Sequence, residues 1–396
     1  MTESAIDTAR PHLAVMVEEL TKAGAIRTPE WAEAFAAVPR HVFVPRWYEQ
    51  ETNDQGIAVW RMQHLAHEGR LVRVYRDTTL VTALDPDTAE KVDETAWTGI
   101  PTSSSTLPSL MAGMLEDLAV DDGHRVLEIG TGTGYNAALL CARLGEQRVH
   151  SVDVDADLID TARRRLSSIG YEPHLAPADG RNGYPTEDRF RFHRVIATCS
   201  VPDIPRSWIA QTHPGGLIVA DVDLGIEGGL VCLTVDAEHS AYGQFTTTGG
   251  RFMAARGDAR TYPRRERTPY ADEAGTRPTN VTAADIRAHY PFRLLLAFHL
   301  PGAELVYHSD ETTGTMSLQL QQSDGSWARV PLAGDRLDTV TYGGSPEIWQ
   351  QVEAAWEWWN DADRPGQDQF GYAREPDGHV AVWHLPDGRR WDLRPA

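Results

Sequence analysis

Val126-Leu127-Glu128-Ile129-Gly130-Thr131-Gly132-Thr133-Gly134 is the stretch on which the reading of this chain turns. Arg125 to Ile129 reads as a short apolar strand, and Tyr135 to Leu144 as a helix carrying Ala137, Ala138, Leu140 and Cys141. A glycine-rich turn between strand and helix lets the backbone approach a ligand closely. The helix N-terminus adds free N–H groups and positive potential. The pattern alone fits either a dinucleotide or another adenosine cofactor, and three details separate them. The glycines are spaced GxGxG rather than GxGxxG. Glu128, just before the turn, would repel a pyrophosphate but suits the cationic end of an amino acid. Asp153 ends the next strand, 19 residues after Gly134, where its carboxylate is placed to accept from both ribose hydroxyls. Glu128, Gly130, Thr131, Gly132, Thr133, Gly134 and Asp153 are therefore the candidate cofactor residues.

Outward from this motif, strands at Val149 to Val154, His174 to Ala178, Arg194 to Cys199 and Leu217 to Val222 alternate with helices at Leu158 to Ile169 and Pro205 to Gln211. That alternation predicts an α/β fold with a mostly parallel sheet covered on both faces, placed at 101–235. Residues 1–100 are expected to be an N-terminal helical and irregular segment. It has helices around Leu13 to Leu20 and from Pro29, and short strands such as Leu71 to Tyr75. Residues 236–280 read as a linker, polar and arginine-rich from 254. Residues 281–396 read as a tryptophan-rich accessory α+β domain, either tightly cored or offering an aromatic surface for peptide recognition. Its strands are Phe292 to His299, Glu304 to His308, Thr315 to Gln321 and Trp327 to Pro331. Asp324-Gly325, Asp377-Gly378 and Asp387-Gly388 are hairpin signals. Trp349, Val352, Trp356 and Trp359 form one stripe of a helix from Pro346 to Trp359, read as core packing.

The 396 residues carry a net charge of −20. This argues against a nucleic-acid partner and against an anionic membrane surface. No run of about 18 apolar residues suggests a span, and the first residues lack the pattern of a signal peptide. Three cysteines without CxxC spacing read as buried thiols in a reducing cytoplasm. No metal is expected. Asp153-Val154-Asp155-Ala156-Asp157 lacks the glycine of a calcium loop, and His64 and His67 have no further ligands in register.

The glycine turn with Glu128 and Asp153 resembles the class I, Rossmann-like, S-adenosyl-L-methionine-dependent methyltransferases. In that class an acid after the third strand commonly accepts from the adenine amino group, which points to Asp179-Gly180; a simple turn aspartate is the other reading. Thr198, at the end of the fourth strand, either lines the methyl-donor sulfonium or belongs to a plain loop. Further motifs narrow the resemblance. These are Val38-Pro39-Arg40-His41-Val42-Phe43-Val44-Pro45, the tract Thr102-Ser103-Ser104-Ser105-Thr106-Leu107-Pro108, and Val201-Pro202-Asp203-Ile204-Pro205 running on to Gly215-Gly216. In this order they resemble protein-L-isoaspartate O-methyltransferases from about residue 12 to 222. In that family a serine two residues before the proline contacts the carboxylate to be methylated. Here that position is Thr106, with Ser104 and Ser105 beside it, and these three are the candidate catalytic residues. Enzymes of the repair type usually finish near the end of the methyltransferase domain, whereas this chain continues for about 160 residues. The tail and the wording of the motifs resemble a branch that accompanies ATP-grasp ligases in the maturation of ester-crosslinked ribosomal peptides (graspetides). That resemblance implies methylation of an aspartate side chain in a precursor peptide already crosslinked by the ligase, leading to aspartimide or isoaspartate. The alternatives are isoaspartate repair and a related lanthipeptide-associated aspartyl methyltransferase.

Overall fold

The computed structural model describes residues 3–53, 56–65, 69–186, 190–257, 269–310, 313–332 and 339–394; His67 lies outside them. The N-terminal segment begins with three helices, α1 (Glu3–Lys22), α2 (Pro29–Ala37) and α3 (Arg40–Phe43). It then forms an antiparallel sheet from β1 (Arg46–Thr52), β2 (Ala58–His64), β3 (Leu80–Leu84), β4 (Ala96–Trp97) and β5 (Pro101–Ser105), in the order β4-β2-β1-β3-β5. This is more regular than expected. The stretch expected as a strand at Leu71 to Tyr75 is instead a one-turn helix, α4 (Leu71–Val74). Four residues are too few for periodicity to separate the two. The hydroxyl-rich tract is the edge strand β5, and Pro108 starts α5 (Pro108–Asp117) in the first helical turn, where its missing N–H is harmless.

The central unit follows the expected alternation. It runs β6 (Val126–Ile129), α6 (Tyr135–Leu144), β7 (Val149–Asp153), α7 (Ala156–Ser167), β8 (His174–Pro177), β9 (Phe192–Val201), α8 (Arg206–Ala210), β10 (Thr212–Asp223) and β11 (Gly228–Val235). Strands β8-β7-β6-β9-β10 are parallel neighbours. The strand order reverses between β6 and β9, the switch point where open α/β sheets bind ligands. Asp155 caps α7 by accepting from the Asp157 and Leu158 amides at 2.9 and 3.3 Å, so it serves the helix.

The tail departs from the expected layout. The presumed linker 236–280 contains β12 (Ala241–Phe245) and β13 (Glu273–Pro278). Phe292 to His299, expected as a strand, lies in a helix. The order there is α9 (Ala283–Ala288), α10 (Tyr290–His299), β14 (Glu304–Ser309), β15 (Met316–Gln321), β16 (Trp327–Pro331), β17 (Thr339–Gly343) and α11 (Glu347–Asp361). Phe292, Leu294, Leu295, Leu296 and Ala297 are all fully buried, and the apolar run Leu294 to Phe298 is too short to reveal its period. Strands β13-β17-β16-β15-β14 form a separate antiparallel sheet. The last strands, β18 (Phe370–Arg374), β19 (Val380–His384) and β20 (Arg390–Arg394), return to the central sheet. The full order is β20-β19-β18-β12-β11-β10-β9-β6-β7-β8. The boundary placed at 235 therefore cuts through one ten-stranded sheet.

The two faces of that sheet have different covers. On β9 and β10, Val195, Ala197, Ile218, Ala220 and Val222 pack with α8, α9, α10 and α11, including the buried Trp349, Val352 and Trp359. The alternating Ile196 and Val219 pack with α1, α2, α5, α6 and α7. This alternation is the period of a strand buried on both sides.

Candidate active site

A cavity of about 310 Å3 opens at the switch point. Its walls are the glycine turn, the ends of β7, β8 and β9, the edge strand β5, and an arm formed by residues 251–256. All the expected site residues line it except Gly134. Gly134 has φ of +88°, and a Cβ there would meet the Ala162 Cβ at 3.0 Å, so this glycine serves the packing of α6 on α7.

The donor-type wall is acidic. Glu128 is fully buried; the Asn136 amide donates to its Oε1 at 2.8 Å and the Ser151 hydroxyl to its Oε2 at 2.5 Å. Burial raises its carboxyl to about pKa 7 against the pull of these two donors. Asn136 Oδ1, also on this wall, is buried without a partner. A carboxylate beside an orphaned carbonyl oxygen is short of donors, and an ammonium group supplies them. Asp153 accepts from the Gly132 and Asp155 amides at 2.8 and 3.1 Å, which fixes its carboxylate at the mouth of the glycine turn. Desolvation there raises its carboxyl above the usual range, against these hydrogen bonds and the charge of Arg256. A Cβ on Gly132 would have nothing nearer than 3.9 Å and would project into the cavity. The residues present therefore fit the amino-acid and ribose ends of S-adenosyl-L-methionine.

Three expected roles change in detail. Thr198 donates to the Gly130 carbonyl at 2.8 Å, and a Cβ on Gly130 would meet its hydroxyl at 2.7 Å; Thr198 thus braces the turn. Asp179 is held by the fork of Arg181, with Nε at 3.0 Å from Oδ1 and Nη2 at 2.8 Å from Oδ2. That pairing lowers its carboxyl below the usual range. Gly180 packs under Ile129, where a Cβ would come within 2.6 Å of Cγ2. Of the three candidate hydroxyls, Ser105 is buried and its Oγ accepts from Arg40 at 3.4 Å. Ser104 and Thr106 are only partly buried on the cavity wall.

The sequence reading missed Arg40 as a site residue. Its guanidinium is completely buried and donates to the carbonyls of Val74, Arg76, Thr78, Ser105 and Thr106 at 2.8–3.3 Å. Burial pushes it down to about pKa 10. It ties the end of the hydroxyl tract to α4 and the turn that leads into β3. The only signal was its place between two prolines in the quoted Val38–Pro45 motif. Asn136 and Ser151 were missed as Glu128 partners, and the arm was read as featureless loop.

Fold and site together define a class I S-adenosylmethionine-dependent methyltransferase. The family model described as protein-L-isoaspartate(D-aspartate) O-methyltransferase (PCMT) matches residues 74–249. The chain is 31% identical over 210 residues to the protein-L-isoaspartate O-methyltransferase of Methanopyrus kandleri, covering 52% of this chain and 75% of that one. The Thermotoga maritima protein of the same name is 30% identical over 195 residues, covering 49% and 50%. This chain belongs to the protein-L-isoaspartate O-methyltransferase family. A solved structure with that name superposes with a TM-score of 0.50 at 21% identity, covering 93% of this chain and 98% of the other. The likeness of fold thus extends into the tail as well. Among the described residues no helix is long and apolar enough to cross a membrane.

Proposed function

We propose that this enzyme methylates the side-chain carboxylate of an aspartate in a crosslinked ribosomal peptide, the product going on to aspartimide or isoaspartate. The observation that carries this reading is the crowding of the acceptor side. Thr106 stands on the cavity wall where the family has serine, and the arm of residues 251–256 lines the same cavity. A β-branched hydroxyl narrows the space for a broad range of flexible peptides and suits one defined shape.

Glu128 and Asn136 Oδ1 would receive the ammonium of S-adenosyl-L-methionine and Asp153 its ribose, with Asp179 and Gly180 on the wall of the same cavity. Bound there, the cofactor supplies an electrophilic methyl group that a carboxylate oxygen displaces in line from sulfur, so one positive and one negative charge vanish together. The acceptor has a pKa of about 4 and is ionised at neutral pH, so no general base is needed. The chain's task is to position the acceptor. Ser104 and Thr106 present hydroxyls that hold one oxygen and leave the other to attack, while Arg40 keeps their strand in place. In the product ester, the nitrogen of the following residue can attack the carbonyl and expel methanol, closing the succinimide ring without the enzyme.

The test is mass spectrometry of the full chain with S-adenosyl-L-methionine and three peptides. One is an ester-crosslinked peptide with a ring aspartate, one is its hydrolysed linear form, and one is a generic isoaspartyl peptide. Methylation, or loss of methanol after it, on the crosslinked peptide alone supports the proposal. Methylation of the isoaspartyl peptide alone returns the protein to repair, the activity its relatives are named for. If the −20 charge disfavours the carboxylate-rich linear form, the preference for the crosslinked form shrinks at high salt.

A further inference from the structure

Two buried side-chain atoms on residues of the cavity wall, Tyr135 Oη and Asn136 Oδ1, have no hydrogen-bond partner and belong to consecutive residues. Both residues lie in the first turn of α6, whose N-terminus lends positive potential. Asn136 Oδ1 only accepts, whereas the Tyr135 hydroxyl has a hydrogen to give. Tyr135 is 4% exposed. Its ring packs against Phe35 and Phe43, with centroids 6.5 and 5.8 Å away, and neither ring offers the hydroxyl a polar atom. Tyr75, which acts on it electrostatically, has its own hydroxyl on His41 Nδ1 at 2.6 Å. A phenylalanine here would pack the same way without burying an unpaired hydroxyl, so the hydroxyl points to a ligand rather than to the fold.

Arg40 supplies a second, independent observation. Its Cζ stands 5.9 Å from the centre of the Tyr135 ring. Its hydrogen-bond partners are five backbone carbonyls and the Ser105 hydroxyl, with no carboxylate among them. Asp77, the acid that acts on it from a distance, has its carboxylate on the Ser109 amide at 2.8 Å. A buried cation without a counter-ion in contact projects positive potential into its low-dielectric surroundings. At Tyr135 that potential favours negative charge, while burial keeps the phenol protonated and therefore a donor. An unused donor in the field of an unneutralised cation is a seat for an anion. We infer that the Tyr135 hydroxyl receives the carboxylate of the cofactor's amino-acid end, in the field of Arg40. The inference rests on the placement of the ammonium at Glu128 and Asn136 proposed above. Ammonium and carboxylate are carried on one carbon, so a cofactor that puts the first against Glu128 brings the second close behind, where Glu128 repels it. A donor backed by a cation offsets that repulsion. Asn136 then takes the positive group and Tyr135 the negative one, and consecutive residues of one helical turn read the zwitterion.

The experiment compares Tyr135→Phe with the unaltered full chain by calorimetry on three ligands. These are S-adenosyl-L-homocysteine, its decarboxylated analogue, which keeps the amine, and its deaminated analogue, which keeps the carboxylate. Thermal melting of the ligand-free proteins controls for folding, and the variant should melt no lower, because only an unpaired hydroxyl is lost. In Tyr135→Phe the Kd of S-adenosyl-L-homocysteine and of the deaminated analogue should rise roughly 10-fold or more, from loss of a hydrogen bond to a charged group. The Kd of the decarboxylated analogue stays within about 2-fold, as does the KM of an isoaspartyl peptide at saturating S-adenosyl-L-methionine. Failure of the ammonium placement has a different signature. The unaltered chain then binds the deaminated analogue as tightly as S-adenosyl-L-homocysteine, while the loss in Tyr135→Phe still follows the carboxylate. An equal loss on all three ligands, or no loss on any, overturns the inference. A raised acceptor KM with unchanged Kd values also overturns it, and gives the hydroxyl to the acceptor's carboxylate instead.

Discussion

Replacing Arg40 with lysine tests the claim that a buried guanidinium holds the hydroxyl tract. The two Nη atoms serve five backbone carbonyls and the Ser105 hydroxyl. A lysine ammonium has three N–H donors on a single nitrogen, and with one carbonyl to each it leaves two of the five without a partner. Hydrogen bonds to a charged group contribute roughly 1.5–3 kcal/mol each, which puts the loss at roughly 3–6 kcal/mol. Arg40 Nε is buried with no protein partner, and removing it returns about 1 kcal/mol. The net expectation is therefore roughly 2–5 kcal/mol, towards the lower end because the Arg76, Thr78 and Thr106 contacts are only partly buried. Urea unfolding followed by circular dichroism measures it, with an unchanged m-value showing that the unfolding transition itself is unaltered. The variant should also lose acceptor turnover more than S-adenosyl-L-homocysteine affinity, because Arg40 contacts the Ser105 and Thr106 carbonyls and none of the acidic wall. A loss below about 0.5 kcal/mol with normal turnover would refute the reasoning, since it would mean that water or backbone movement replaces the guanidinium at no cost.

Glu128 gives a pH signature of ligand binding. Its folded carboxyl keeps a proton up to about pH 7 against the usual 4.5, so this group's contribution to stability falls as pH rises across that window. An ammonium ligand needs the carboxylate, so S-adenosyl-L-homocysteine should bind with proton release at pH 6 and tighten up to about 10-fold per pH unit until pH 7. Calorimetry in two buffers of different ionisation enthalpy reads the release, and Glu128→Gln should abolish it. Gly132→Ala should separate folding from binding. At φ of +51° with open space ahead it destabilises by roughly 1–2 kcal/mol, while the methyl group in the cavity weakens S-adenosyl-L-homocysteine binding at least 10-fold; normal affinity would place the ligand elsewhere. Burial, with the charges of His174 and Arg125, pushes His150 down to about pKa 4. Its neutral form therefore contributes on the order of 2–3 kcal/mol above pH 6.5 that is lost as pH falls towards 4. His150→Phe should flatten that acid limb in thermal melts, and an unchanged limb would assign it to other groups.

The methyltransferase core was legible because its signals are local and redundant. Ile129 ends an apolar run, glycines break the chain, and Tyr135 opens a helix whose period is visible. Asp153 could be placed by counting alone. The misreadings have one physical origin, which is burial that erases periodicity or partners that come from far away in the chain. Leu294 to Phe298 shows no polar face because α10 packs against both the central sheet and α11. Thr106 was placed by its proline, but the separation of Ser105 from Ser104 and Thr106 needed the pleat of β5 and the position of Arg40, 65 residues earlier. The arm has no pattern of its own, since Met253 and Ala255 find their hydrogen bonds on Ser200. The fork of Arg181 on Asp179 is local, but nothing in the composition of that turn distinguishes a carboxylate already held from one waiting for a ligand.

The pairing of β12 with β18 bears on how the protein is made. Gln244 and Gly371 are partners in that ladder, so the edge of β12 leaves the ribosome well over a hundred residues before its neighbour exists. During that interval the completed glycine turn and its helices sit beside a bare row of amides and carbonyls, the kind of edge that recruits strands from other chains. Folding of the central sheet therefore waits for strands made after the whole of the second sheet. Conditions that slow translation of residues 246–370 lengthen the exposure of that edge.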